Sequence, residues 1–302
     1  MSEERYAPYQ DFLGLPQDLK PDAEPRVAIL PVPYDLTTSY QPGARRGPIA
    51  ILEASTHLET YDEELGRETW EEIGIETLPA VVPDTSGPAG TVDRVEAVAC
   101  EIVKGGRFLV SLGGEHSITA PLVRAVRTAH PGLGVLQLDA HADLRDEFEG
   151  SPLNHACVMH RVLDDGVPLA QVGIRSLTGE ERTLIRDRGI CTVFAPEAVG
   201  TPVAEWIGRV LAALPEEVYV TVDLDVFDPA IMPATGTPEP GGLDWYRALA
   251  VLREVARTRR IVGFDVVELS PIPGNVAPDF LAAKLVYRLL GYAQPMGRPS
   301  GR

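Results

Sequence analysis

Residues 136–143, LQLDAHAD, join a short apolar run to alternating acidic and imidazole side chains. The apolar run is typical of a buried parallel strand, and ligands of open α/β sheets bind where such strands end. Residues two apart on an extended segment point the same way, so Asp139, His141 and Asp143 can converge. The stretch therefore predicts an α/β fold with a polar site at the end of this strand.

Two further blocks repeat the pattern of a β-prone run that ends in potential metal ligands. They are residues 218–225, VYVTVDLD, and residues 107–117, which end in Gly-Gly-Glu-His-Ser. Any one of the acids could be a solvated loop residue or a helix cap. The three blocks together favour a site, because an unpaired charge cluster at buried strand ends would be costly. Two imidazoles and four carboxylates suffice for two divalent ions, and this oxygen-rich set without cysteine favours Mn²⁺ over Zn²⁺ or an iron–sulfur cluster.

The composition is compatible with a soluble enzyme that has an acidic surface. The chain has 302 residues, 44% of them apolar, a net charge of −17 and a pI of about 4.8. This charge argues against nucleic-acid and anionic-membrane partners and suits cationic substrates, although it also serves solubility alone. Three widely spaced cysteines predict reduced thiols, and no segment is long and apolar enough to span a bilayer. We therefore expect a cytoplasmic protein.

Strands and helices are predicted to alternate along the chain, without repeats or linkers. One domain over residues 1–302 is expected, with its core at about residues 26–291. The spacing alone leaves open a closed barrel or an open doubly wound sheet. The predicted strands are Val27–Val32, 77–82, 107–112, Gly134–Leu138, Leu169–Ile174, Cys191–Phe194, 218–222 and 261–269. The predicted helices are 48–56, 92–104, 118–128, 156–163, 180–188, 203–214, 244–258 and 278–290, and residues 295–302 are expected to form a loose tail.

The motifs and their order resemble those of the ureohydrolase family, which comprises arginases, agmatinases and their relatives. The resemblance rests on GGEHS at 113–117, DAHAD at 139–143, DLDVFDP at 223–229, TGTP at 235–238 and DVVELSP at 265–271. It implies a three-layer α/β/α sandwich with a mostly parallel sheet of about eight strands, which decides against the barrel. It also implies two Mn²⁺ per chain and a homo-oligomer, either a trimer or a hexamer.

The resemblance assigns a metal ligand to each of six positions. Asp139 and Asp223 would bridge the two metals, and the remaining four would each bind one of them. The first metal would take His116 and Asp143, and the second would take His141 and Asp225. Glu115 beside His116 is expected to support the site without ligating a metal.

The same resemblance implies hydrolysis of a guanidinium by a hydroxide that bridges the two metals. Asp143 would pass the proton to the leaving nitrogen, and His155 would shuttle protons at the mouth of the site. Glu268 would pair with the planar guanidinium, which suits a carboxylate. From the residues alone, Glu268 could instead be a strand-end acid satisfied by backbone donors, and His155 could be structural.

Agmatine is the predicted substrate, with putrescine and urea as products. The segment 144–151, LRDEFEGS, resembles the agmatinase pattern, and its acids Asp146, Glu147 and Glu149 are predicted to bind the substrate's distal ammonium. Thr237 is a further predicted substrate-binding residue. Within the family, arginase or a guanidino-acid hydrolase such as guanidinobutyrase is the alternative, for which Arg145 or Arg175 could hold a carboxylate. We expect a structural role for Arg175 and a turn at Asp228.

Two alternatives outside ureohydrolase catalysis are weaker. An inactive ureohydrolase-like subunit that binds a partner or polyamine would be favoured by loss of a ligand, and none is lost. A metal-dependent deacetylase on a related fold would need one metal and a suitably placed oxyanion-stabilising tyrosine or histidine pair, which the sequence does not reveal. Urea release from several guanidines separates these possibilities.

Overall fold

An eight-stranded parallel sheet forms the centre of the computed structural model, which describes residues 11–15 and 26–293. Numbered along the chain, the strands are β1 (Val27–Val32), β2 (Tyr61–Asp62), β3 (Arg67–Glu68), β4 (Ile75–Thr77), β5 (Phe108–Gly113), β6 (Gly134–Leu138), β7 (Leu169–Ile174), β8 (Cys191–Phe194), β9 (Glu217–Asp223) and β10 (Arg260–Val267). Their spatial order is β4-β1-β5-β10-β9-β6-β7-β8, and every neighbouring pair is parallel. The sheet is therefore open, and β2 and β3 form a separate antiparallel hairpin.

Ten helices connect and cover these strands within the described residues. They are α1 (Gly47–Ser55), α2 (Thr69–Ile73), α3 (Pro88–Lys104), α4 (Thr119–Arg127), α5 (Val158–Asp164), α6 (Gly179–Arg188), α7 (Ala195–Gly200), α8 (Val203–Ala213), α9 (Trp245–Thr258) and α10 (Ala277–Ala293). The local sequence determines where several of these helices begin and end. Thr178 and Glu181 form a reciprocal capping box at the start of α6, and Asp244 caps α9. Gly189 ends α6 in the left-handed conformation that glycine adopts without strain.

Apolar side chains alternate across the strands and create two cores, one on each face of the sheet. In β1, Val27 and Ile29 belong to the first core, whereas Ala28, Leu30 and Val32 belong to the second. The first core is covered by α1 and α7–α10, and the second by α3–α6. Burying each such valine, leucine or isoleucine stabilises the fold by roughly 1.5–3 kcal/mol. The predicted three-layer α/β/α arrangement is confirmed.

The strand order places four functional segments beside one another. The neighbouring strands β5, β10, β9 and β6 all run in the same direction, so their carboxyl ends meet at one edge of the sheet. His116 follows β5, Glu268 follows β10, Asp223 ends β9 and Asp139 follows β6. Residues that lie far apart in sequence are thereby brought into one cluster.

The prediction of a strand at residues 77–82 is wrong. The strand is β4, Ile75–Thr77, which pairs only with β1 at the sheet edge. Pro79 and Pro83 follow it, and proline lacks the N–H that a longer strand would need. The hairpin β2–β3 and the short helices α2 and α7 were not predicted.

Several other expectations can be compared with the described residues, and one cannot. The three cysteines are unpaired, with Cys157 buried and Cys100 and Cys191 half-buried. Within residues 11–15 and 26–293, no helix combines the length and apolar character needed to cross a membrane. The predicted tail at residues 295–302 lies outside the described part of the chain.

Candidate metal centre and active site

The predicted ligands lie together in two overlapping groups at the sheet edge. Ligand atoms of His116, Asp139 and Asp223 lie within 4.8 Å of one another, and so do those of Asp139, His141 and Asp225. Asp139 is common to both groups, as a bridging ligand would be. The remaining predicted ligand joins the first group, because Asp143 Oδ2 lies 3.1 Å from His116 Nδ1.

Backbone N–H groups donate to one oxygen of each of three carboxylates. The other oxygen of Asp223 and of Asp225 faces the centre of the cluster, whereas Asp139 Oδ2, 3.1 Å from His116 Nδ1, also accepts a hydrogen bond of 2.7 Å from Gln137 Nε2. Asp139 Oδ1 accepts a hydrogen bond from His141 N at 2.6 Å, and Asp223 Oδ1 accepts one from Asp225 N at 2.8 Å. Asp225 Oδ1 accepts from Ala140 N at 3.0 Å. The second oxygens of Asp223 and Asp225 lie 3.4 Å from His116 Nδ1 and 2.8 Å from His141 Nδ1, respectively.

A buried network behind His116 fixes the orientation of its ring. His116 Nε2 lies 2.8 Å from Thr221 Oγ1, and Thr221 donates a hydrogen bond of 2.6 Å to Asp265 Oδ1. Thr119 and Tyr219 donate to the other oxygen of Asp265. With Nε2 held in this way, Nδ1 faces the carboxylates, an arrangement typical of metal-binding histidines. Sequence analysis gave no role to this network. The available signal was Thr221, which lies two residues before Asp223 and so faces the same side of β9.

The chemistry of this cluster fits divalent metal ions. Burial, together with the carboxylates of Asp225 and Asp139, raises the pKa of Asp223 well above its usual range, and burial together with Asp139 raises the pKa of Asp143 to about 7. His116 Nδ1 is buried and makes no hydrogen bond to a described residue, although three carboxylate oxygens lie within 3.4 Å. Bound cations would neutralise the crowded carboxylates and use this nitrogen as a ligand.

Two acids of the site have strained backbone conformations. Asp143 has φ of 52° and Glu268 has φ of 67°, values that side chains with a Cβ rarely adopt. Glu268 Oε1 accepts a hydrogen bond of 2.7 Å from His116 N, so a backbone donor satisfies one of its two oxygens. Such strain persists where the surrounding structure enforces it, often at functional sites.

His155 lies at the entrance of the site and is held through the loop that follows β1. Its N–H donates a hydrogen bond of 3.1 Å to Thr37 Oγ1, and its Nε2 lies 3.4 Å from Ser39 Oγ. Glu115 accepts hydrogen bonds from Thr37 N and Ser117 Oγ, which agrees with the expected supporting role. Burial lowers the pKa of His155 to about 4, so the imidazole is neutral near pH 7.

A cavity of about 310 Å³ opens onto the metal cluster, within the size range of small-molecule pockets. It is lined by the predicted site residues His141, Asp143, His155 and Thr237, so it connects the metal cluster with the proposed proton shuttle. Glu268 is not among its lining residues and lies buried against His116. The remaining lining residues are Ser39, Ala142, Arg145, Phe148, Ala156, Ser176, Leu177, Thr178, Glu181 and Glu239.

The predicted role of the acids in segment 144–151 does not agree with their placement. Asp146, Glu147 and Glu149 are exposed and do not line the cavity, and Asp146 instead pairs with Arg161 at 2.6 Å. The segment presents Arg145 and Phe148 to the cavity instead. The turns of the segment determine which of its side chains face solvent and which face the cavity. Residue types alone do not specify these turns.

Arg175 and Asp228 have the structural contacts expected of them. Arg175 donates hydrogen bonds to several backbone carbonyls, among them Asp225 O at 2.6 Å and Glu239 O at 2.8 Å. Asp228 Oδ2 accepts from Gly241 N and Gly242 N, and its Oδ1 accepts from Ala230 N. Together they fix the loop that carries Thr237 against the end of β9.

Comparison with known proteins shows the family and agrees with the fold. A sequence model of the arginase family matches residues 25–291, which include all six predicted ligands. The chain belongs to the arginase family. It is a ureohydrolase, since its arginase-family relatives at up to 44% identity are named as ureohydrolases or agmatinases.

Two relatives and one solved structure illustrate the similarity. An N(1)-aminopropylagmatine ureohydrolase of Synechocystis sp. is 44% identical over 277 residues, covering 89% of this chain and 90% of the relative. An agmatinase of Pyrococcus horikoshii is 37% identical and covers 87% and 90% of the two chains. The solved structure of proclavaminate amidino hydrolase from Streptomyces clavuligerus has a TM-score of 0.85 at 32% identity, covering 96% and 98%.

Proposed function

We propose that this ureohydrolase hydrolyses the guanidinium group of agmatine to urea and putrescine, with two Mn²⁺ bound per chain. The observation that carries the proposal is the overlap of the two ligand groups beside a cavity that also contains His155. The acidic net charge of −17 supports a cationic substrate. The named agmatinases among the relatives support the choice of guanidine.

The proposed metal ligands are the six residues of the cluster, with Asp139 and Asp223 shared between the two positions. When bound, the ions would lower the pKa of water and so provide a nucleophile near neutral pH. The ligands are His116, Asp139, His141, Asp143, Asp223 and Asp225.

Glu268 binds the guanidinium in this proposal. Its Oε1 is held by His116 N, which fixes the carboxylate next to the cluster. A planar guanidinium presents N–H groups that match a carboxylate, and burial strengthens the pairing. This orients the guanidinium carbon toward the metal ligands.

Asp143 and His155 move protons in this proposal. Asp143 lines the cavity beside His116, so its carboxyl group can pass a proton to the leaving nitrogen. His155 lies at the same cavity in its neutral form and can exchange protons with solvent, because it is only half-buried. Thr237, on the opposite loop, contacts the substrate chain.

A second candidate substrate is N(1)-aminopropylagmatine. The relatives from Synechocystis and Thermus that carry this name are 43–44% identical to the chain, compared with 37% for the Pyrococcus agmatinase. A guanidino acid is the third, because Arg145 lines the cavity and could hold a carboxylate. An inactive binding subunit is not favoured, since the described structure brings every predicted ligand into the cluster.

Agmatine is expected to be hydrolysed with a kcat/KM at least about a hundredfold above that of arginine. A carboxylate that loses hydration without a well-placed cation costs several kcal/mol, and each ~1.4 kcal/mol is tenfold in specificity. Urea release from agmatine, N(1)-aminopropylagmatine, arginine and 4-guanidinobutyrate, measured side by side with Mn²⁺, checks this. If 4-guanidinobutyrate is preferred and Arg145→Gln removes that preference, the protein is a guanidino-acid hydrolase.

We also propose that the chain functions as one ureohydrolase domain and assembles into a trimer or hexamer in the cytoplasm. The family match over residues 25–291 supports the single domain. Ile272, Val276 and Phe280 are exposed apolar residues close together in sequence, which supports association of subunits through this region.

A further inference from the structure

We propose that Glu239 binds the distal ammonium of the substrate and makes the cavity selective for guanidines whose alkyl chain carries a second positive charge. The inference rests on the proposed ureohydrolase function, because it concerns the same cavity. It replaces the predicted role of Asp146, Glu147 and Glu149, which do not line that cavity.

Three carboxylates line the cavity, and only one of them is not already engaged. Asp143 belongs to the metal cluster. Glu181 Oε1 accepts a hydrogen bond of 2.9 Å from Leu144 N, and its Oε2 accepts one of 2.6 Å from Thr178 N. The half-buried carboxylate of Glu239 has no hydrogen bond or ion pair with any described residue. Glu239 is therefore the negative charge that remains for a ligand.

The backbone at Glu239 is fixed, although its side chain has no partner. Its carbonyl accepts hydrogen bonds from Arg175 Nη2 at 2.8 Å and Nε at 3.3 Å. Pro238 and Pro240 flank it and restrict the main chain on both sides. Holding this carboxylate near a ligand therefore costs less conformational entropy than ordering a mobile loop.

The same cavity contains a positive charge that would favour guanidino acids, whose distal group is a carboxylate. Arg145 lines it, but its guanidinium lies over the ring of Phe148, 4.2 Å from the ring centre. This contact holds the cation over an aromatic face. The carboxylate of Glu239 has no such contact with a described residue, and an ammonium is the ligand that suits it.

The test compares substrates that differ only in the distal charge. Urea release is measured for agmatine, N(1)-aminopropylagmatine and butylguanidine, which keeps the four-carbon chain of agmatine but lacks its ammonium. Glu239→Gln is expected to raise KM about fivefold for at least one of the two ammonium substrates, with kcat within about twofold. A solvent-accessible ion pair contributes at most about this factor to binding. KM for butylguanidine should not change.

Two further variants complete the experiment. Glu239→Asp keeps the charge and should recover part of the lost affinity, whereas a purely structural role would not give this charge-specific rescue. Glu180→Gln is the matched control, because Glu180 is an exposed acid of α6 that does not line the cavity. It should behave as wild type with all three substrates.

The outcomes separate the inference from the proposed function. If Glu239→Gln leaves KM unchanged for both ammonium substrates, or raises it equally for butylguanidine, Glu239 does not bind the distal ammonium. If the Mn²⁺-loaded wild-type protein releases urea from none of the three guanidines, the proposed substrate class itself is wrong. The substrate with the larger change in KM is the one whose ammonium reaches Glu239.

Discussion

Asp223→Asn is expected to lose at least one of two bound metal ions and to lower kcat/KM for urea release by more than about a hundredfold. The magnitude follows because replacing even a residue that only orients a metal ligand lowers metal affinity or activity by about 10–100-fold. The loss of a ligand itself should be larger. Asp223 Oδ1 is held by Asp225 N, and its Oδ2 faces His116 Nδ1 at 3.4 Å. A neutral amide keeps the shape of the side chain but removes the charge that a bridging ligand shares between two cations.

Elemental analysis of the purified variant, together with steady-state kinetics on agmatine, checks this expectation. Asp187→Asn makes the same chemical change at an exposed position of α6. Among the described residues Asp187 pairs with its neighbour Arg186 alone, so this variant should retain both metals. A variant at position 223 with wild-type metal content and activity would show that Asp223 is not a ligand.

Glu268→Gln is expected to reduce kcat/KM by about thirtyfold to several thousandfold while both metals remain bound. Removing the charge from one partner of a buried, hydrogen-bonded ion pair costs about 2–5 kcal/mol, and ~1.4 kcal/mol corresponds to a factor of ten. Glu268 is buried and one of its oxygens is held by His116 N, so its pairing with the guanidinium would be shielded from bulk solvent.

The alternative for Glu268 is a purely structural acid, and the same variant distinguishes the two. A structural role predicts a lower melting temperature with little change in kinetics for the folded protein. Guanidinium binding predicts a large kinetic loss with nearly unchanged melting temperature and metal content. Glu180→Gln again serves as the control for the replacement itself.

Local sequence patterns predicted most elements because their physical causes are local. The apolar runs that become β6 and β9 alternate across the sheet, and Asp244 caps α9 where the helix was expected to start. The segment 77–82 shows the limit of this approach. Its composition favours a strand, but Pro79 and its position at the sheet edge end the pairing at Thr77.

The convergence of the site could be expected only in part. Period-two spacing placed Asp139 with His141 on one side of the chain, but it could not show that β10 lies between β5 and β9. That order depends on contacts between distant parts of the chain. The ureohydrolase resemblance therefore supplied the three-layer fold, and the structure supplied the neighbours of each strand.

The residues that control the distal end of the substrate were the least predictable. Residue type identified segment 144–151 as acidic, but a loop exposes some side chains to solvent and turns others inward. Here the acids face solvent, and Arg145 and Phe148 line the cavity. Glu239 lies almost a hundred residues later in the sequence, in a loop fixed by Arg175, and only the folded chain places it at the same cavity.

The central proposal is that the protein hydrolyses a guanidine with two Mn²⁺ bound per chain. Titration of chelator-treated wild-type protein with Mn²⁺ tests it most directly, with urea release from agmatine as the readout. Two cations are expected to balance the clustered carboxylates and to bind His116 Nδ1, so the chelator-treated protein should be inactive. Urea release should rise with added Mn²⁺ and level off at two ions per chain. Urea release without metal, or a plateau at one ion per chain, would contradict the account.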